Sequence, residues 1–251
     1  MTRVLKLTIA YDGTDYVGWQ RQKNGPSVQS AIERAWQKVT DEAVIATGSG
    51  RTDSGVHALG QVVGIPTESK LPPQTLLRAM NTYLPSDIVV LEAAEAPPAF
   101  DPIRHAVRKQ YRYVFQDGRI LDVLARRHCW FIPQQLNVEA MRTAAEHLVG
   151  THDFVSFQSA GSERATTVRT VFEVSVERGR GPLRENITFE IAADGFLYNM
   201  VRAIAGSLAK IGRGSHDPVW MKEILQAQDR TLAGPTAPPQ GLFLVKVDYD
   251  L

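Results

Sequence analysis

With one cysteine, Cys129, in 251 residues, the chain has no partner for an intrachain disulfide. That cysteine stands in the apolar run Cys129-Trp130-Phe131-Ile132 and reads as a small buried hydrophobe. No stretch is apolar for long enough to cross a membrane as a helix. The opening segment MTRVLKLTIAYDG carries lysine and arginine inside its apolar run and lacks a cleavage-like site, so it reads as a strand rather than a signal peptide. Net charge is only +1, which favours neither a polyanionic nor a cationic partner. Apolar residues at 43% and charged residues at 22% describe a folded chain, long enough for one large domain or two ordinary ones. The expectation is a soluble, cytoplasmic protein.

The charge is unevenly spread. From Arg104 to His128 there are seven Lys/Arg (Arg104, Arg108, Lys109, Arg112, Arg119, Arg126, Arg127) against two acids, Asp117 and Asp122. Tyr111, Tyr113 and Phe115 interleave with them. Such a stripe suits a polyanion with stackable bases, and equally a solvated strand and loop.

Periodicity sets the order of elements. Leu5, Leu7, Ile9 and Tyr11 alternate with polar residues over 4–11, a half-buried strand. Val28, Ala31, Ile32, Ala35, Trp36 and Val39 recur at helical spacing behind Ser27, the better first cap. AVIAT at 43–47 and QVVGI at 61–65 read as strands, Pro72-Pro73 introduces a second helix, and DIVVLEAAEA reads as a strand. Pro97-Pro98 and Asp101-Pro102 mark a linker-like boundary. Beyond it come the strand QYRYVF, a helix carrying Met141 and Ala145, and the strands TVFEVSVE and NITFEIAA with clean alternation, joined by the turn RGRGPLR. A long helix is expected from Leu197 to Ile211, then a short one near Pro218, then the strand GLFLVKVDY. Each half thus reads β-α-β-β-α-β. The expected fold is α+β: two ferredoxin-like halves, 1–103 and 104–251, with mainly antiparallel sheets around a central active-site cleft.

Several chemistries are missing their residues. Gly50 to Gly55 has phosphate-loop spacing, but Val56-His57 stands where Lys-Ser/Thr is required. There is no Gly-x-Ser-x-Gly elbow. The six histidines are scattered, and His147 and His152 lack the partners of a zinc site. Neither a metal nor a nucleotide cofactor is expected.

What remains is the segment GSGRTDSGVHALGQV, from Gly48 to Val62. An Arg-x-Asp in a glycine-rich turn is ordinarily a self-paired turn. The sharper reading is a carboxylate nucleophile or base oriented by a guanidinium. A metal-dependent hydrolase or phosphotransferase would need a second acid near Asp53 at ligand spacing, and none is there.

This segment resembles the signature of the tRNA pseudouridine synthase A family, close to Gly-Arg-Thr-Asp-Ala-Gly-Val-His-Ala followed by Gly-Gln-Val. YDGTDYVGWQRQ with SVQSAIE, RKQYRY, GFLYNMVRAIAGSL and GLFLVKVDY resemble that family's other blocks in order, from about Lys6 to Tyr249. Ser54 departs from the family's usual alanine, and Gln158 to Val168, expected as a loop, matches least.

The resemblance implies conversion of uridine to pseudouridine at positions 38 to 40 of the tRNA anticodon stem-loop, with no cofactor. It implies Asp53 as the catalytic aspartate, acting by attack on C1′, by attack on C6 or by deprotonating the sugar. Arg202 matches the arginine that pairs with the aspartate. Tyr111 matches the tyrosine that stacks on the base and takes or relays the C5 proton. Arg51 matches the arginine thought to enter the RNA stack when the base leaves it. His57 orients the loop or contacts phosphate. Arg104, Arg108, Lys109 and Arg112 then read as phosphate-contacting surface, and the protein as a homodimer. The competing reading is a tRNA-binding protein or chaperone without turnover.

Overall fold

The computed structural model describes residues 2–161, 166–181 and 184–250. Parts of the expected 158–168 loop and of the RGRGPLR turn therefore lie outside the described residues. Along the chain the elements are β1 (Arg3–Tyr11), α1 (Val28–Thr40), β2 (Thr47–Gly48), β3 (His57–Thr67), α2 (Pro73–Tyr83), β4 (Ile88–Ala96), β5 (Ala106–Asp117), β6 (Trp130–Ile132), α3 (Val138–Glu146), β7 (Gly150–Asp153), β8 (Val168–Arg180), β9 (Glu185–Ala193), α4 (Met200–Gly212), α5 (Trp220–Ala227) and β10 (Leu242–Tyr249). The class is α+β, as expected. No helix among the described residues is long and apolar enough to cross a membrane.

The chain divides into two compact units. One runs through Val107 and also takes in the chain from Phe243 onward; the other spans Arg108–Leu242. The sequence reading put GLFLVKVDY with the second half. Instead β10 pairs in parallel with β3, Phe243 opposite His57, and so joins the first unit.

In the first unit β1 lies between β3 and β4, antiparallel to both, and β2 pairs antiparallel with β3. The core face of β1 follows the alternation: Leu5, Leu7, Ile9 and Tyr11 are all buried. Val28, Ile32, Ala35 and Trp36 of α1 and Leu76 and Met80 of α2 are buried too. Full burial of each such aliphatic or aromatic side chain contributes about 1.5–3 kcal/mol. Helix α1 starts at Ser27, which accepts the Ser30 backbone N–H at 3.2 Å while the Ser30 hydroxyl faces back, a capping box. Helix α2 starts with proline in its first turn, where the missing N–H costs nothing. AVIAT contributes only its last residue to β2, which is two residues long. The segment Pro97–Pro102 is no bare linker. Phe100 is buried edge-on to Tyr249, Tyr249 donates to the Pro102 carbonyl at 2.8 Å, and the ring of Pro102 sits over Gly64 of β3.

In the second unit β9 lies between β5 and β8, antiparallel to both; β7 pairs with β8 and the short β6 runs parallel to β5. The alternation in TVFEVSVE is not clean. A bulge places Phe172 and Glu173 against a single stretch of β9, so Val171 and then Val176 are buried while Phe172 turns outward. Helix α4 starts later than the expected Leu197. It begins at Met200 behind Asn199 in a left-handed conformation (φ 60°), and nearly every residue from Met200 to Gly212 is buried. A β-carbon on Gly206 would lie 1.7 Å from the Pro235 carbonyl oxygen, so glycine is required by close approach of the backbone. Gly206→Ala is expected to lower unfolding stability by about 3 kcal/mol, read by denaturant titration; an unchanged midpoint would contradict this packing.

Candidate catalytic loop and aromatic strand

Strand β1 ends at Tyr11, and strand β3 begins at His57; the glycine-rich loop leads into β3. Within it Arg51 is exposed, Thr52 is 6% exposed and Asp53 is half-buried. Asp53 is thus neither sealed in the core nor fully in solvent. It forms an isolated antiparallel bridge with Gly18, and its carbonyl accepts Val56 N–H at 3.1 Å.

The loop is held from several sides. The carbonyl of Thr52 accepts Trp19 N–H at 3.0 Å, and Gly55 N–H and the Ser54 hydroxyl both donate to the Tyr16 carbonyl, at 3.3 and 3.1 Å. Gly18 has φ +111°, and a β-carbon there would sit 2.5 Å from the Thr52 oxygen. Only glycine combines that conformation with that approach. The Thr52 hydroxyl lies 2.8 Å from the Tyr11 hydroxyl, and the fully buried Gln61 side chain donates to the Gly50 carbonyl at 2.8 Å and accepts from the Ser49 hydroxyl. Burial pushes the Tyr11 hydroxyl up to about 12, against the opposing pull of its hydrogen bonds with Thr52 and Gln61, so it stays protonated at neutral pH. Tyr11, Ser49, Thr52 and Gln61 were not singled out as functional from the sequence. Two signals were available: a tyrosine ending an otherwise aliphatic face, and a glutamine inside the apolar run of β3.

His57 is 1% exposed. Its ring stacks on Phe243 with centroids 4.7 Å apart, and Nδ1 accepts Gly13 N–H at 3.1 Å beside the Asp12 carboxylate, also 3.1 Å away. His57 thus holds the turn after β1 through Gly13 and is closed off from solvent.

In the second unit, Tyr111, Tyr113 and Phe115 share one face of β5. Tyr113 and Phe115 are fully buried, and Tyr111, the preceding residue on that face, is half-buried and meets Phe196 edge-on with centroids 4.9 Å apart. The Tyr113 hydroxyl donates to the Pro238 carbonyl at 2.8 Å; burial raises its pKa, with the Arg202 charge opposing. Arg202 is half-buried on α4, not an exposed helix charge. Its Nε donates to the Ala237 carbonyl and its Nη1 to Asn199 Oδ1, both at 2.8 Å. These bonds fix the guanidinium's plane.

The basic stripe is more nearly neutral than its local count. Arg108 pairs with Glu173, and Arg112 contacts Glu190 at 2.6 Å through Nη2. Glu190 comes from the adjacent strand β9, and Glu173 from β8, one strand further on. Lys109 shares the β5 face of Tyr111, and Arg104 is largely exposed with Asp101 at 3.7 Å. Cys129 is buried, and burial followed by the nearby Asp122 charge pushes its thiol up to about 11, which suits an inert core residue.

The profile of the family described as "tRNA pseudouridine synthase" matches residues 7–103 and 144–250. The chain is 44% identical over 247 residues to the tRNA pseudouridine synthase A of Thermoanaerobacter sp. (strain X514), covering 98% of this chain and 100% of that one. It is 45% identical over 247 residues to the protein of that name from Sinorhizobium fredii, covering 97% and 98%. Against the Myxococcus xanthus protein it is 42% identical over 245 residues, covering 98% and 91%.

Gly18→Ala tests how the loop is held. It is expected to cost about 1–3 kcal/mol through strain and overpacking, and to speed hydrogen exchange at the Trp19 amide, which bonds to the displaced Thr52 carbonyl. Unaltered protection at Trp19 would mean the contact carries no constraint.

Proposed function

We propose that this chain, which belongs to the tRNA pseudouridine synthase family, acts at positions 38 to 40 of the anticodon stem-loop and uses Asp53 as its catalytic carboxylate. Membership carries the activity itself, isomerisation of uridine to pseudouridine in tRNA; the position in the tRNA and the residue roles are the inference. The observation that supports them most is Asp53, half-buried on a loop whose neighbouring peptides are bonded to β1, β3 and the Tyr16–Trp19 segment.

The reaction breaks the N1–C1′ bond, forms a C5–C1′ bond, releases the C5 proton and returns a proton to N1. Nothing is oxidised or consumed, so no cofactor is assigned. A carboxylate serves at the first stage by attack on C1′ or C6 or by taking a sugar proton. Tyr111 is assigned to stack on the uracil while it is detached, and its hydroxyl to accept or relay the C5 proton. Base–aromatic stacking contributes about 1–3 kcal/mol, enough to retain a loose base. Arg202 is assigned as the cation that accompanies the catalytic carboxylate, and its two fixed bonds suit a guanidinium that must not collapse onto the wrong acceptor. Exposed Arg51 is assigned to replace stacking lost when the uridine leaves the helix.

Arg104, the most exposed of the four, is the phosphate contact this reading favours, and Lys109 keeps its assignment. Arg108 and Arg112 retain the assignment in weaker form, because Glu173 and Glu190 already meet them. A homodimer in the cytoplasm completes the inference from the family.

The test is an unmodified tRNA transcript, incubated without added metal or cofactor and mapped for pseudouridine by chemical labelling. Asp53→Asn is expected to lose at least about 10³-fold in turnover with tRNA affinity retained; turnover at the wild-type rate would remove Asp53 from the chemistry, and no pseudouridine from the unaltered protein would support a binder. Affinity should also fall with salt, with log K against log[salt] sloping by about −0.7 to −0.9 for each phosphate contact, and Arg104→Ala should flatten that slope. A salt-independent affinity would remove the basic surface from the account.

A further inference from the structure

Thr52 stands between the two residues of the loop that carry chemistry, yet its own side chain points the other way. Arg51 is exposed and Asp53 half-buried, while Thr52 is 6% exposed with its hydroxyl 2.8 Å from that of Tyr11. Tyr11, 4% exposed, closes the core face of β1, and it also hydrogen-bonds Gln61. Gln61 is 0% exposed in β3. Its amide nitrogen can only donate, and it meets the Gly50 carbonyl at 2.8 Å; its oxygen can only accept, and it meets the Ser49 hydroxyl. The Ser49 amide in turn donates to Val62 O at 2.8 Å. Residues 49, 50 and 52 are thus each bonded from below by groups on two rigid strands.

We propose that Tyr11, Thr52 and Gln61 are positioning residues for the reaction: their buried network sets where Arg51 and Asp53 stand before tRNA arrives. This rests on the reading of Asp53 as the catalytic carboxylate. A glycine-rich loop that ordered itself only on the substrate would spend binding energy on that ordering and reach the reactive geometry less often. Here the order is supplied during folding, because a buried hydroxyl or amide must find its partner for the core to close. The middle residue of the Arg-Thr-Asp triplet is therefore the anchor, and its neighbours on either side are carried toward solvent by it.

The Tyr11–Thr52 pair separates positioning from stability. Tyr11→Phe strands the Thr52 hydroxyl and Thr52→Val leaves the Tyr11 hydroxyl with Gln61 alone, so each lowers the unfolding midpoint. The double variant removes both hydroxyls and leaves an apolar pair of nearly the same shape, so its midpoint should recover toward wild type. A positioning role predicts that each single variant loses about ten- to a hundredfold in kcat with KM for tRNA within about threefold. It further predicts that the double variant stays low in kcat despite its recovered stability, and that Thr52→Ser recovers most of the lost kcat. If kcat in the double variant returns together with its midpoint, or if the single variants turn over at the wild-type rate, the network serves only the fold and the inference fails. Asp53→Asn, assayed beside them, keeps the two claims apart. Loss of turnover there with normal kcat in Thr52→Val overturns the network alone, whereas wild-type turnover in Asp53→Asn overturns the reading on which it rests.

Discussion

The Thr52 and Tyr11 hydroxyls face each other in a part of the protein that water does not reach. Each meets part of the other's need for a partner, because a stranded hydroxyl in a core costs more than a satisfied one contributes. That mutual requirement couples the end of β1 to the loop before β3, and so ties a structural strand to the peptide from Arg51 to Asp53. The Gln61 amide extends the coupling to Gly50 and Ser49. Asp53 and Arg51 can carry charge at the surface because the peptide between them is tied down from the other side. The glycines matter less as flexible joints than as points of close approach, as the Trp19 and Thr52 peptides show around Gly18.

A related solution appears in the second unit. Helix α4 is buried around nearly its whole circumference, which would ordinarily exclude an arginine. Arg202 is accommodated because the 237 carbonyl and the Asn199 side chain accept its hydrogen bonds, and because its position near the helix start leaves it half-exposed. On β5, the alternation that buries Tyr113 and Phe115 places Tyr111 on the same face, half-buried. There Phe196 steadies it edge-on. In both units the side chains proposed for the reaction are neighbours, by one or two residues or by one face, of groups fixed in the core.

The basic stretch illustrates a different effect. Counted along the chain it holds an excess of cations, but strands bring together residues that are far apart in sequence. Glu173 and Glu190 lie outside the counted window and still meet Arg108 and Arg112. Local charge is therefore a poor guide wherever strand pairing can import the opposite sign, and a better one at exposed positions such as Arg104.

Periodicity and local capping chemistry were enough to read β1, α1, α2 and most of the remaining order, since alternation, helical spacing, Ser27 and Pro73 act over a few residues and need no distant partner. The motif from Gly48 to Val62 was equally plain, because it follows the family signature nearly residue by residue. Three things depended on long-range contacts and could not be read that way. The strand from Leu242 to Tyr249 has the same pattern wherever it docks, and only its pairing with β3 assigns it to the first unit. The burial of α4 depends on what lies over its polar-looking side. The network under Thr52 joins residues 11, 49, 52 and 61, whose hydroxyls and amide look unremarkable singly and acquire their roles only when folding removes water from among them.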